Sequence, residues 1–484
     1  MVARRGAEYL DGLEARSRSV WLGDSKVTNV VKEPQFAQAA ETLSGWFDLQ
    51  YEYPDDLLIA DPETGESINV SHMQPRSRED LKRRHVGLQR ISEMTFGMMG
   101  RTPDYMNVTF AGFSDDRQRW SGPDGSNEAG WERLVQFQKR LRRSDLSLTH
   151  TIVNPTINKE SDASFANNPV PLHKVGETKD AIIVRGARML ATLAPFADEQ
   201  TVYPASPLPP DASPAHALSF TVSMETPGLV FLCRDGAARP SEDRFDSPFS
   251  TRFDEQDAYC IFDDVEVPKQ NVFIDGDIGV YGNVMMASTW WPNVMQQTTI
   301  RALTKLEFCY GLASAMVKAI NDTSPDATEM LGELISYIEM TRNAILAAED
   351  YCITQPDGGV YPDARALHPM RALLPLWLTR ATDIIRTLGG ANLLTTPSRA
   401  MLDAPELQGL IAEFLPGALG TTPERRSAVF RLAWDFVGST LGSRGDLYER
   451  HYLASTKRNW QAAERLYSAT NRTRGDDLLR RALA

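Results

Sequence analysis

The placement of prolines constrains this chain more than any other feature. Of 29 prolines in 484 residues, 13 fall between about 146 and 268, interleaved with short β-branched runs. The segments on either side instead carry the three- and four-residue apolar spacing of helices. A proline inside a helix costs roughly 3 kcal/mol, so the middle quarter is expected to be strands and the flanks helices. Candidate strands are Ser147–Val153, Ala181–Val184, Ala217–Met224, Leu229–Cys233 and Ala258–Val267, each bounded by Pro, Gly or Asp. The expected fold is mainly α with a central β-domain: an α-helical domain over 1–145, a β-barrel or sandwich over 146–273, and a C-terminal helical bundle with a tail over 274–484.

Within the first part, Leu81, Val86, Leu88, Ile91, Met94 and Phe96 predict a mostly amphipathic helix from Arg78 to Met99, with Ser77 as N-cap and Glu79 and Asp80 in the first turn. Asp104 to Phe113 lacks a helical period and reads as a turn feeding an irregular segment. A Gly/Ser/Asn-rich loop follows at 121–130. In the last part, Ile300, Leu303, Leu306, Tyr310, Ala313, Val317 and Ile320 step by three or four, as do Leu331, Leu334, Ile338, Thr341, Ile345 and Ala348. Further helices are expected around 363–388, 399–415 and 423–441. Val202–Ala215 is a Pro-rich loop long enough to act as a lid.

Charge and missing motifs exclude several functions. With 51 Lys+Arg against 64 Asp+Glu, the net charge of −13 repels phosphate backbones, and nucleic-acid binding is not expected. No run approaches the ~18 apolar residues of a membrane span, and the first residues carry charge where a signal peptide needs an apolar core. A cytoplasmic protein is expected. The four cysteines, Cys233, Cys260, Cys309 and Cys352, never take a C-x-x-C spacing, and the seven histidines never come within helical reach of one another, so no metal site is expected. No Gly-x-Gly and no Gly-Lys occurs, which removes the Rossmann fingerprint and the P-loop.

A few residues could carry chemistry. Arg101 and Tyr105 put a cation and a phenol four residues apart around Pro103, an arrangement able to bind a phenolate or carboxylate. The bland alternative is a helix-end ion pair of Arg101 with Asp104 and a packed tyrosine. His150, in an alternating stretch that ends at Pro155, could be a general base near neutral pH or simply a structural histidine. Gly186–Thr192 offers small residues and a hydroxyl to a flat ring, or marks a β-bulge. Gly438–Arg444 offers backbone N–H groups, hydroxyls and a cation suited to a pyrophosphate, or marks a glycine helix break. The acidic run Asp254–Asp257 with Asp263 and Asp264 reads as a solvated turn rather than a cation site.

Together, RTPDY at 101–105, LTHTIVNP at 148–155, GARMLAT at 186–192, RFDEQDAYCIFDDVEVP at 252–268 and GSTLGSRGDLYERHY at 438–452 resemble the 4-hydroxyphenylacetate 3-monooxygenase family, the oxygenase components of two-component flavin-dependent aromatic hydroxylases. The resemblance implies an acyl-CoA dehydrogenase-like fold, with an α-helical N-domain, a β-domain and a C-terminal four-helix bundle. It also implies a reaction: FADH2 diffuses from a separate NAD(P)H:flavin reductase, O2 as co-substrate gives a C4a-hydroperoxyflavin, and a para-substituted phenol is hydroxylated ortho to its hydroxyl, giving a catechol. A protein of this kind needs no nicotinamide site of its own.

Position by position, the resemblance casts Arg101, Tyr105 and His150 as the phenol-binding and catalytic groups, His150 being the base. His150, Thr151 and Ile152, Thr156, Ile157, Asn158 and Lys159, and Met189, Leu190, Ala191 and Thr192 fall on flavin-contacting positions, with the Thr192 hydroxyl near flavin N5. Ala205 and Ser206 lie on the loop that covers substrate. Gly438, Ser439, Thr440, Leu441, Gly442, Ser443 and Arg444 form a stretch that reaches FAD from a neighbouring subunit of a homo-oligomer, a tetramer by the resemblance. Two departures stand out: Lys269-Gln270-Asn271 replaces a frequent Trp-Glu-Asn pattern, and Leu441 stands where many relatives carry an aromatic residue. Two other chemistries use the same fold. An acyl-CoA dehydrogenase-like flavoenzyme would act on a thioester through a bundle glutamate, leaving Arg101, Tyr105 and His150 without purpose. A radical dehydratase needs cysteines near 101–105, and none precedes Cys233.

Overall fold

Ser77 accepts a hydrogen bond from the Asp80 N–H at 3.0 Å and starts the helix Arg78–Met94. The computed structural model describes residues 3–158, 168–204, 206–208, 212–237 and 243–484. Its contacts divide the chain into two units. One comprises Met1–Ser241, Thr251–Arg301 and Cys352–Pro362; the other comprises Glu242–Ser250, Ala302–Tyr351 and Asp363–Ala484.

In the first unit, the segment expected to be irregular is the helix Pro103–Ser114, and all twelve of its residues are buried. A helix covered on every side needs no polar face, so the 3.6-residue alternation that would reveal it is absent. Phe110 and Phe113 pack edge-on to one another at 5.8 Å, and Phe110 meets Phe137 at 4.8 Å. Gly112 lets this helix touch the helix Trp290–Ile320 closely; a Cβ there would stand 3.0 Å from the Trp290 Cα.

The β region forms two sheets. The larger runs in the order Ser25–Lys26, Val20–Leu22, Leu229–Cys233, Asp257–Pro268, Ala181–Thr192, His173–Glu177. The smaller runs Val272–Asp275, Leu218–Ser223, Glu199–Val202, Leu148–Thr151. Phe220 of the smaller sheet meets Phe262 of the larger edge-on at 6.0 Å. The larger sheet borrows Val20–Leu22 from the N-terminal stretch, in parallel register with Phe231–Cys233. The strand Ala181–Thr192 runs eight residues past its expected end through a break in register with its neighbour, where two of its residues, Met189 and Leu190, face Tyr259 alone. Leu190 has φ 64° and is half exposed, the backbone of a bulge. Gly186, at φ 121°, passes close to Pro171, whose carbonyl oxygen would lie 2.7 Å from an added Cβ.

The second unit is helical. Pro325–Asp350, Pro423–Val437, Thr440–His451 and Thr456–Leu483 pack against Ala364–Gly389, and the second half of Trp290–Ile320 belongs to the same unit. Two expected helices are each broken in two: 399–415 becomes Arg399–Asp403 and Pro405–Phe414, and 423–441 ends at Val437. Pro405 cannot continue the first of these, and Gly438 closes the second before Ser439 caps the next by accepting from the Gly442 N–H at 3.0 Å. Asp435 accepts from the N–H groups of Phe249 and Ser250 at 2.7 and 2.8 Å, tying the 243–250 segment to the bundle.

Lys305 and Glu449 form an ion pair at 2.8 Å with both side chains at most 2% exposed. Removing one partner strands a charge, whereas removing both does not. Lys305→Met is expected to cost about 3–5 kcal/mol and lower the thermal midpoint of the protein. Lys305→Met combined with Glu449→Met is expected to recover most of that loss in the same melt.

Candidate active site

Arg101 sits between a helix and a helix start, on a loop fixed from two directions. The Gly100 and Arg101 N–H groups both donate to Glu255 Oε1 at 2.5 Å. Arg301, buried on the Trp290–Ile320 helix, donates to the Gly97 carbonyl at 3.0 Å. Pro103 then opens the helix that carries Tyr105, and i, i+4 spacing sets the Arg101 guanidinium 4.0 Å from the Tyr105 ring centroid. Asp104 does not pair with Arg101. Its Oδ2 accepts from Gln297 Nε2 at 2.9 Å, and burial pushes its carboxyl up to about 6.

Glu255 corrects the reading of its neighbourhood. Asp254, Glu255 and Gln256 are buried rather than solvated. Arg234 donates to Asp254 Oδ1 at 2.5 Å and to Asp257 Oδ2 at 3.3 Å, and Thr192 donates to Asp257 Oδ1 at 2.9 Å. The acidic run thus anchors Arg101 on one side and Thr192 on the other. Asp263 and Asp264 are exposed and pair with Arg185.

His150 lies on the strand Leu148–Thr151, paired in parallel with Thr201 of Glu199–Val202. Its ring stacks with Tyr105 at 5.3 Å and 28°. It also stacks at 5.5 Å and 18° with Tyr203, a residue the sequence reading did not single out. Tyr203 follows a strand that sequence patterning also missed; Glu199, Gln200 and Thr201 are buried polar residues without alternation. Burial, with the Arg101 charge added, pulls the His150 imidazole down to about 3, so it is neutral near pH 7.

The pairing of Val153 with Met189 brings 152–153 beside 188–189. Arg188 Nη1 donates to the Ile152 carbonyl at 3.3 Å. Val153, Ile157 and Leu190 each expose an apolar side chain, and Thr156 and Asn158 are exposed as well. Thr151 and Ala191 are buried, and Ile152 and Met189 half-buried. Because Thr192 gives its hydroxyl hydrogen to Asp257, its oxygen is left as an acceptor. Lys159 and Ala205 lie outside the described residues, and Ser206 is half-buried. Gly438–Arg444 belong to the helical unit, as the end of one helix and the first turn of the next; Leu441 and Gly442 are buried there, and Thr440 and Ser443 exposed.

Residues 5–274 match the 4-hydroxyphenylacetate 3-hydroxylase N terminal family and residues 282–480 match its C terminal counterpart. The chain belongs to the 4-hydroxyphenylacetate 3-hydroxylase family. A curated member, the 4-hydroxyphenylacetate 3-monooxygenase oxygenase component of Thermus thermophilus, is 34% identical over 96% of this chain and 95% of its own. A crystal structure of such an oxygenase component complexed with FAD and 4-hydroxyphenylacetate superposes with TM-score 0.92 at 32% identity, covering 99% of both chains. The fold also extends to an archaeal 4-hydroxybutyryl-CoA dehydratase, TM-score 0.84 at 16% identity over 98% of this chain and 94% of that one, a likeness of fold alone. No described helix is long and apolar enough to cross a membrane, and among the described residues no cluster could hold a metal.

The buried imidazole has a consequence for stability. An unfolded His150 takes up a proton as pH falls through about 6.5, whereas the folded one does not until about 3, so the unfolded state binds more protons over that window and stability is lost as pH falls. The thermal midpoint measured from pH 7 downwards is expected to fall less steeply for His150→Gln than for the parent protein.

Proposed function

We propose that this protein is the oxygenase component of a two-component flavin-dependent monooxygenase. It hydroxylates a para-substituted phenol at the ortho position, using FADH2 from a separate reductase and O2. The observation that carries this reading is a half-buried guanidinium, a buried tyrosine and a buried neutral imidazole assembled in one cluster. The thioester-dehydrogenase alternative is not favoured, because it gives that cluster nothing to do.

The exposed apolar side chains of Val153, Ile157 and Leu190, with the acceptor oxygen of Thr192, fit an isoalloxazine ring and its N5–H in the reduced state. These residues, with 150–152 and 189–192, would hold the flavin, which supplies activated oxygen when bound. The chain itself handles the phenol. A phenol has a pKa near 10 in water. Arg101 stabilises its ionised oxygen, Tyr105 orients the ring, and His150 accepts the proton. Substrate ionisation also prepares that acceptor: a phenolate beside Arg101 offsets the positive charge that, after burial, depresses the imidazole.

Mixing the protein with FADH2, O2 and a panel of para-substituted phenols is expected to yield catechols. Losing one charge-assisted hydrogen bond in a water-poor site costs about 10²–10³ in rate. Arg101→Ala and His150→Ala are therefore expected to lose catechol formation by that factor while still consuming FADH2 and releasing H2O2. Tyr105→Phe is expected to be milder. Normal rate and coupling in either alanine variant would move the phenol elsewhere.

A homo-oligomer, a tetramer in our reading, accounts for the apolar side chains that the helical unit exposes, among them Leu394, Met401, Leu410, Phe414 and Leu419. In such an assembly 438–444 would complete the flavin site of a neighbouring copy. Light scattering at micromolar concentration is expected to give a multiple of the 53.9 kDa chain mass; a fully active monomer would refute this.

A further inference from the structure

Tyr203 is 1% exposed, and its hydroxyl lies near Tyr105 but makes no well-formed hydrogen bond among the described residues. Leaving a buried hydroxyl unsatisfied costs about 1–3 kcal/mol, a cost usually tolerated where a ligand will satisfy the group. The ring is not loose. It stacks on His150 at 5.5 Å, meets Phe113 edge-on at 5.4 Å and Trp290 edge-on at 6.5 Å. Three aromatic neighbours thus fix where the hydroxyl points. The charged and titratable groups it senses are Tyr105 and Arg101, and burial keeps its proton on well beyond neutral pH. It is therefore a permanent donor beside the same cation and imidazole.

We propose that Tyr203 is a further substrate-touching residue of this site, whose hydroxyl donates to the oxygen of the bound phenolate alongside Arg101. Arg101 supplies charge, His150 takes the proton, and Tyr203 supplies a neutral donor whose direction is set by its stack. Tyr203 directly follows the strand Glu199–Val202, which pairs with the strand that carries His150.

The inference rests on the proposed phenol chemistry, and the test separates the two. Flavin-free protein is titrated with 4-nitrophenol one pH unit below the probe's own pKa, and the nitrophenolate absorbance reports the ionised bound fraction. The parent protein is expected to bind the probe ionised. Tyr203→Phe keeps all three ring contacts and removes only the hydroxyl; the ionisation constant of the bound probe is expected to drop about tenfold or more. The same variant is expected to release more H2O2 per FADH2 consumed. If the parent ionises the probe and Tyr203→Phe does so equally at equal affinity, Tyr203 is a packing residue and the inference fails alone. If the parent itself does not bind or ionise the probe, the phenol site falls and this inference with it.

Discussion

One carboxylate oxygen holding two successive backbone N–H groups decides whether this site exists. Glu255 Oε1 accepts from Gly100 and Arg101, and without it the Arg101 guanidinium would hang from a loop that begins and ends in glycine, Gly97 to Gly100. An arginine side chain has about 2 kcal/mol of rotamer entropy to lose on ordering. Anchoring the backbone that leads into the Arg101 Cα, then laying the guanidinium on the Tyr105 ring, removes much of that freedom before any substrate arrives. Arg301, through the Gly97 carbonyl, fixes the other end of the same loop.

The electrostatics of the cluster follow from its burial. A cation and a basic nitrogen placed together in a medium of low polarity cannot both be charged at modest cost, and the imidazole is the group that gives way. The result is a site with one fixed positive charge and one neutral acceptor, complementary to a neutral phenol about to become an anion. Asp104 avoids opposing that arrangement. Burial raises its carboxyl towards neutrality, and its Oδ2 accepts from Gln297.

The β region contributes rigidity where the flavin would lie. A bulge places Leu190 in a left-handed conformation, a strain of the order of 1–3 kcal/mol for a residue with a side chain. The long antiparallel pairing with Asp257–Pro268 holds it there and leaves an apolar side chain exposed. Strain kept at one position by many neighbouring hydrogen bonds is the usual sign of a surface shaped for a ligand.

The three-part order of helices, strands and helices was legible because proline density and apolar spacing are local properties that survive in any arrangement. So was the cap at Ser77; Arg101, Tyr105 and His150 stood out as groups able to carry chemistry, but each also had a purely structural reading until the family resemblance joined them. Folding alone decided the rest. The helix Pro103–Ser114 is hidden in sequence because burial on all sides erases its period, and the strand Glu199–Val202 because three of its four buried side chains are polar, with Gln200 and Thr201 donating to partners far along the chain. The run Asp254–Asp257 looks solvated until Arg234, Thr192 and two backbone N–H groups converge on it from residues up to 155 positions away. Tyr203 is an ordinary tyrosine until His150, Phe113 and Trp290 close around it. Sequence sets which groups can carry charge and which segments can be helix or strand; which buried polar atoms find partners, and which are left for a ligand, depends on contacts between distant segments that no local pattern encodes.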